Sequence, residues 1–360
     1  MPQPVENDEH SWWDYYSDQP HRVSGSQKPR SSADNLAEYL LIAGTALLAS
    51  PALCWRYITL KPMSALPEVK DFVGLSIAPD PKYDDASYDM VHELGVRELL
   101  VRVPTWDPKA LDDVQRLVER YPRHRFLVNI LQNRDSILNP DQWRENLHTI
   151  FNRLGAVSSD FQIGNAINRT KWGLNHSGEY LRLLEIAEQV RAECPNVRLV
   201  GSSVIDFEPL VTLRTLLNLR DYRLDAVSSL LYVNRRGSPF ARQYGIFDLK
   251  RKLRLIYAMV SVSNRAQKRL WITEVNWPLL DTKPYTPNSG HPRSTVDEET
   301  QARYLKQYYR IAHRTGFVEK VYWWQLINPG YGLVDHRCGT LRKYPAYYAL
   351  KEIIDGGLSA

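Results

Sequence analysis

The chain has 360 residues, 43% hydrophobic and 24% charged, which is enough to bury one large core or two medium ones. Its 46 Lys and Arg against 41 Asp and Glu leave a formal net charge of +5. The basic residues are dispersed rather than gathered into a stripe that tracks phosphates, which argues against a nucleic-acid partner. Cys54, Cys194 and Cys338 lie far apart and in odd number, which argues against a disulfide framework and favours a reducing compartment.

Residues 1–34 are polar, contain Pro and Ser, and show no apolar period, so they read as a disordered tail. Within them Ser11-Trp12-Trp13-Asp14-Tyr15-Tyr16 stands out, either as a docking patch for a partner or membrane surface or as a sticky stretch of tail. Residues 35–62 read as an apolar helix. From Tyr39 to Trp55 there is no charge over roughly 17 residues, the short limit for a spanning helix. Aromatic residues stand at both ends, as at membrane interfaces, while Gly44, Thr45, Ser50 and Pro51 dilute the apolarity. Residues 39–55 are therefore expected to associate with a membrane, spanning it or lying at its surface. A helix packed on the outside of the next domain is the alternative. Lys28 and Arg30 before the segment balance Arg56 and Lys61 after it, so charge gives no orientation.

From Asp71 the chain alternates strand and helix signals. The expected strands are Phe72–Ser76, Glu98–Val103, Arg125–Ile130, Asp160–Asn165, Val197–Ser202, Ala226–Tyr232, Leu270–Glu274 and Lys320–Trp324. Between them, apolar residues recur at helical spacing, as at Leu111, Val114, Leu117 and Val118. Eight such units over residues 71–360 are the count of a (β/α)8 TIM barrel. A doubly wound sheet would show a Gly-rich phosphate turn after the first strand, and Gly74-Leu75-Ser76-Ile77 is not one.

Active sites of such barrels sit at the carboxyl ends of the strands. The residues there are Arg102, Asn129, Asn165 with Ala166, Tyr232, Glu274 and Trp324, a polar and aromatic ring with a carboxylate that could act as nucleophile. Trp172 and Trp277 lie on loops at the same end and are candidates for stacking on sugars, with ordinary packing as the alternative. Trp323 should point away into the core. The nine His are scattered without ligand spacing, so neither a metal nor another cofactor is expected.

This set resembles glycoside hydrolase clan A, the retaining (β/α)8 glycosidases, nearest to family thirty-nine-like members. In that clan an Arg ends the second strand, Asn-Glu ends the fourth, a Tyr lies near the end of the sixth, a nucleophile Glu ends the seventh and a Trp ends the eighth. Arg102, Asn165, Tyr232, Glu274 and Trp324 match in type and order, and Ile272-Thr273-Glu274-Val275-Asn276-Trp277-Pro278 resembles the nucleophile strand. The resemblance implies a β-linked oligo- or polysaccharide ligand, Glu274 as nucleophile, Arg102 orienting it, Tyr232 donating to it, Asn165 on the sugar 2-hydroxyl and Trp324 as a floor. The departure is Ala166, where the clan carries its acid/base Glu. Retaining hydrolysis needs two carboxyl groups, and a methyl offers no proton. Four explanations stay open: a deliberate Glu-to-Ala knock-out, a natural non-catalytic glycan binder or scaffold of bacterial polysaccharide assembly, a proton supplied by another side chain such as Asp206 or Glu208, or a substrate whose leaving group needs none. The implied setting is a membrane-associated protein of a bacterium, with a cytoplasmic one as the alternative.

Overall fold

The computed structural model describes residues 12–21, 33–286 and 294–358. The chain begins with a hairpin of two short antiparallel strands, β1 (Trp13–Asp14) and β2 (Gln19–Pro20). The long helix α1 (Ala33–Thr59) follows, then a single turn, α2 (Val69–Phe72). The barrel opens with β3 (Val73–Ser76), α3 (Asp84–Leu94), β4 (Glu98–Pro104), α4 (Pro108–Glu119) and β5 (Arg125–Leu131). It continues through α5 (Arg134–Leu138), α6 (Pro140–Leu154), β6 (Asp160–Ile163), α7 (Ser177–Arg191), β7 (Arg198–Ile205) and α8 (Pro209–Leu216). It ends with β8 (Ala226–Leu230), α9 (Leu249–Val262), β9 (Leu270–Val275), α10 (Glu298–Thr315) and β10 (Lys320–Trp323). A small ribbon, β11 (Val334–Asp335) with β12 (Arg342–Lys343), and the last helix α11 (Pro345–Gly356) complete the order.

Strands β3 to β10 form one closed parallel barrel in which β10 returns to pair with β3. The fold is thus the (β/α)8 TIM barrel that the alternation of signals predicts. The strands are buried nearly end to end, as parallel strands must be when helices cover one face and the barrel interior the other. Three of the helices, α4, α9 and α10, start at an aspartate cap. Asp107, Asp248 and Asp297 each accept a hydrogen bond from an otherwise orphaned first-turn N–H, of Lys109, Arg251 and Thr300.

The interior is filled by Leu100, Leu127, Val200, Ala226, Trp271, Tyr322, Trp324 and Tyr331, a packed core rather than a pore. At its amino-terminal end Glu98, 1% exposed, is neutralised by Lys320 at 2.6 Å and by Arg125. Gly74 is required by this packing, because a Cβ there would stand 2.3 Å from the Tyr322 ring.

Two N-terminal features bear on function. Residues 12–21 fall in the stretch expected to be a disordered tail, yet they form the hairpin, and it packs into the carboxyl-end mouth of the barrel. The remainder of that stretch, 1–11 and 22–32, lies outside the described residues. Helix α1 runs along α8 and α9 on the barrel's outer surface. Glu38 pairs there with Arg214 at 2.9 Å, and Arg254 donates to the carbonyls of Tyr57 and Ile58 at 2.6 and 2.9 Å. Its outer side exposes Leu36, Leu40, Leu41, Leu47, Leu48, Trp55 and Ile58. Among the described residues it is the one helix long and apolar enough to cross a membrane.

Gly74→Ala should overpack the barrel interior and cost about 1–3 kcal/mol, read as a lower denaturant midpoint with unchanged slope. An unchanged midpoint would mean that the Tyr322 ring has room to move.

Candidate active site

The mouth of the barrel encloses a cleft of about 350 Å³ whose walls include Asp18, Arg102, Asn165, Trp172, Tyr232, Glu274 and Trp324. That is the lower end of the size range of ligand pockets. Six of the nine residues singled out in the sequence therefore share this wall: Arg102, Asn165, Trp172, Tyr232, Glu274 and Trp324.

Glu274 stands near the end of β9 and is 8% exposed. Arg102 from β4 donates Nη2 to its Oε2 at 2.6 Å, and the Tyr232 hydroxyl donates to its Oε1. Both oxygens are thereby held. Burial, then the adjacent Glu274 charge, pushes the Tyr232 hydroxyl well above the ordinary tyrosine range, so it stays protonated and remains the donor. Arg102 also lies over the Trp324 ring, 3.3 Å from its centroid, so this floor residue already carries a cation on one face.

Asn165 follows β6 in a tight turn opened by Gly164, whose φ of +74° favours glycine. Its Oδ1 accepts from Asn129 Nδ2 at 3.1 Å. Gln132 clamps its backbone, accepting from the Asn165 N–H at 2.8 Å and donating to its carbonyl at 3.0 Å. Asn129 is 2% exposed and reaches the cleft only through Asn165, so its place is behind the wall rather than on it as expected. Trp277 is the larger correction. It is fully buried, stacks on Trp323 at 6.0 Å, and donates its indole N–H to the Gly237 carbonyl at 2.9 Å. Its ring is committed to the core and offers no sugar platform. Trp323 is buried beside it, as strand alternation predicts.

Ala166 is fully buried in an apolar cluster with Trp13, Leu131, Trp172, Leu230 and Tyr232. The hairpin supplies much of this cover. Trp13 packs edge-on to Trp172 at 5.8 Å and against Trp106 at 5.0 Å, and Trp12 donates its indole N–H to the Lys171 carbonyl at 3.2 Å. Asp18 closes the wall, its Oδ2 3.3 Å from Arg102 Nη1. The aromatic patch noticed in the sequence is thus a docking patch for the chain's own barrel. Nothing in the local sequence marks Asp18 itself, because its partners lie 84 residues and more away.

The cleft is more charged than the strand ends suggest. Arg169, Lys171, Asp206 and Arg236 also line it. Arg169 binds Asp206 at 2.6 Å and also Glu208, so both carboxylates considered as substitute acids are engaged in ion pairs, and Glu208 lies outside the cleft wall. Arg236 stacks 3.3 Å from the Tyr232 ring centroid and donates to Asn276 Oδ1 at 2.6 Å. Among the described residues no cluster of His, Cys, Asp and Glu could hold a metal ion.

Several glycoside hydrolases of known structure share this closed eight-stranded parallel barrel. The chain is similar to a family 39 glycoside hydrolase from Bacteroides cellulosilyticus WH2 (13% identity, TM-score 0.60), covering 80% of this chain and 64% of that one. It is also similar to a GH5-4 broad-specificity endoglucanase from Clostridium acetobutylicum (15%, 0.56), covering 79% and 96%. A third neighbour is a family 1 β-glucosidase from Thermotoga maritima (13%, 0.56), covering 81% and 99%. The chain spans just under two thirds of the family 39 structure. At these identities the likeness establishes the fold. No protein-family model matches the sequence, and no curated protein matches it.

Arg102→Met should leave the Glu274 and Asp18 carboxyl groups without their shared cation. Breaking a buried pair of this kind costs about 3–5 kcal/mol, measurable by urea or thermal unfolding. A loss below about 1 kcal/mol would mean that Glu274 is solvated rather than held.

Proposed function

We propose that this protein is a retaining glycoside hydrolase-like protein for a β-linked oligo- or polysaccharide, with Glu274 as its nucleophile and no acid/base at position 166. The observation that carries the reading is the double restraint of Glu274. Arg102 and the protonated Tyr232 grip its two oxygens at the wall of a cleft, which fixes the direction in which the carboxyl group points. Asn165, fixed by Asn129 and Gln132, keeps an amide nitrogen for a sugar hydroxyl, a contact that strengthens in the transition state. The neighbours' own names support the substrate class, since they include an endoglucanase, a β-glucosidase and a protein complexed with laminari-oligosaccharides.

A second reading is a glycan binder or scaffold without catalysis. The apolar packing around Ala166 favours it, because a carboxyl group there would have to enter a dry aromatic cluster.

The two readings separate on a substrate whose departure needs no proton. With dinitrophenyl β-glycosides of glucose, galactose, mannose and xylose, the first reading expects a burst of one dinitrophenolate per protein. It also expects a matching mass gain on the peptide containing Glu274, absent in Glu274→Gln. No burst with any of the four, together with retained binding of β-glucan oligosaccharides, would move the assignment to the binder.

We also infer that α1 attaches the barrel to a membrane in a bacterium. The support is its apolar outer side, with Leu47 and Leu48 75% and 84% exposed, on a helix whose two ends are tied to the barrel by Glu38 and Arg254. The protein should float with phosphatidylcholine–phosphatidylglycerol vesicles, and Leu47→Glu with Leu48→Glu should cut that partitioning at least about tenfold, each buried Leu being worth about 1.5–3 kcal/mol. Equal flotation of both proteins would exclude this face as the attachment.

A further inference from the structure

We propose that Asp18, carried into the barrel mouth by the N-terminal hairpin, is the second carboxyl group of this site and acts as its general acid and base. The proposal rests on Glu274 being the nucleophile.

Retaining hydrolysis needs a second carboxyl group about 5 Å from the nucleophile. Among the described residues, three carboxyl groups line the cleft: Asp18, Asp206 and Glu274. Asp206 is bound by Arg169, which also holds Glu208. Asp18 and Glu274 instead share one planar guanidinium. Arg102 gives Nη2 to Glu274 at 2.6 Å and Nη1 to Asp18 Oδ2 at 3.3 Å, and Nη1 also donates to the Asp18 carbonyl at 3.0 Å. A single fork therefore brings the two groups to adjacent nitrogens of one cation at the wall of one cleft. Arg102 engages only Oδ2, which leaves Oδ1 to carry a proton.

The hairpin is built to hold Asp18 in place. Asp14 accepts from the Tyr16 N–H at 3.0 Å and from the Ser17 hydroxyl at 2.5 Å, which fixes the turn. The next residue, Gln19, accepts from Lys171 and reaches Tyr331 at 3.5 Å. Asn328 donates to the Tyr16 carbonyl at 3.4 Å. Asp18 sits at φ +51°, a left-handed conformation that Asp tolerates better than most residues and that surrounding contacts must maintain.

Trp13 anchors the far end of the hairpin in the cluster that contains the Ala166 methyl. A glutamate at 166 would compete with Trp13 for that volume. The methyl at 166 and the carboxyl at 18 are thus linked through the hairpin, because the small side chain leaves room for the segment that brings the carboxyl.

The protonation state suits the role. Burial, and after it the charge of Glu274, outweighs Arg102 and pushes the Asp18 carboxyl above the ordinary aspartate range. In the first step a Glu274 oxygen bonds to the anomeric carbon, the glycosidic C–O bond breaks, and the Asp18 proton passes to the departing oxygen. In the second, the Asp18 carboxylate takes a proton from water as that water's oxygen bonds to the anomeric carbon and Glu274 leaves.

The test compares the unmodified protein with Asp18→Asn on two β-glycosides of the same sugar, one dinitrophenyl and one methyl. On the methyl glycoside Asp18→Asn should lose about 100- to 10,000-fold, at least tenfold more than it loses in the dinitrophenolate burst. Azide should speed dinitrophenyl turnover in the variant and yield the β-glycosyl azide. The high-pH fall in kcat/KM, set by loss of the Asp18 proton among Arg102, Glu274 and Asp14, should disappear. Trp13→Ala, which unseats the hairpin without touching the carboxyl, should lose methyl-glycoside activity in parallel, with tryptophan emission reporting the hairpin in each protein. The proposal is overturned if the unmodified protein does not hydrolyse the methyl glycoside, or if either variant hydrolyses it as well as the unmodified protein does. With the burst at Glu274 intact, those outcomes leave the nucleophile assignment standing. Absence of the burst from the unmodified protein removes both.

Discussion

Everything at the barrel mouth is arranged around the Arg102 guanidinium. It reaches Glu274 with one terminal nitrogen, the N-terminal hairpin with the other, and covers Trp324 with its face. A cation this deep is costly unless its charge and its donors are matched. Glu274 and Asp18 accept from its two terminal nitrogens, while Nε is left without a hydrogen-bond partner. The Glu274 carboxyl, the Trp324 ring and the hairpin are therefore not three independent placements but contacts of one rigid fork. Lys in this position could not reproduce them, since a point charge on a flexible stem lacks the paired planar donors.

The barrel was legible because its cause is local. Each strand is a short apolar run and each helix an amphipathic one, and β-α alternation repeated eight times leaves few closed solutions. The errors were at boundaries and had a physical source. Asn165 reads as the end of a strand, but pairing stops at Ile163, because Gly164 turns the chain and Gln132 takes over the backbone hydrogen bonds of Asn165. Arg102, Tyr232, Glu274 and Trp324 were found from sequence because strand-end position alone sends a side chain to the mouth.

What sequence could not supply was the state of side chains on loops. Trp277 follows Glu274 by three positions and looks well placed for a sugar, yet its indole is absorbed by Trp323, Tyr304 and Tyr308. Asn129 ends a strand like the others, but Asn165 stands between it and the cleft. The hairpin defeated composition altogether. Ten polar and aromatic residues without a period cannot make a core of their own, and these become ordered only against Trp106, Trp172 and Arg102, contributed by distant parts of the chain.

Trp13 and Ala166 share one buried volume although 153 positions, 166 less 13, separate them. Side-chain size at one therefore limits what the other can become, so neither can drift alone. A longer side chain at 166 would require a smaller one at 13, and would loosen the end of the hairpin that holds Asp18 against Arg102. The ten-residue hairpin, as much as the barrel strand, therefore sets which side chains this end of the mouth can hold.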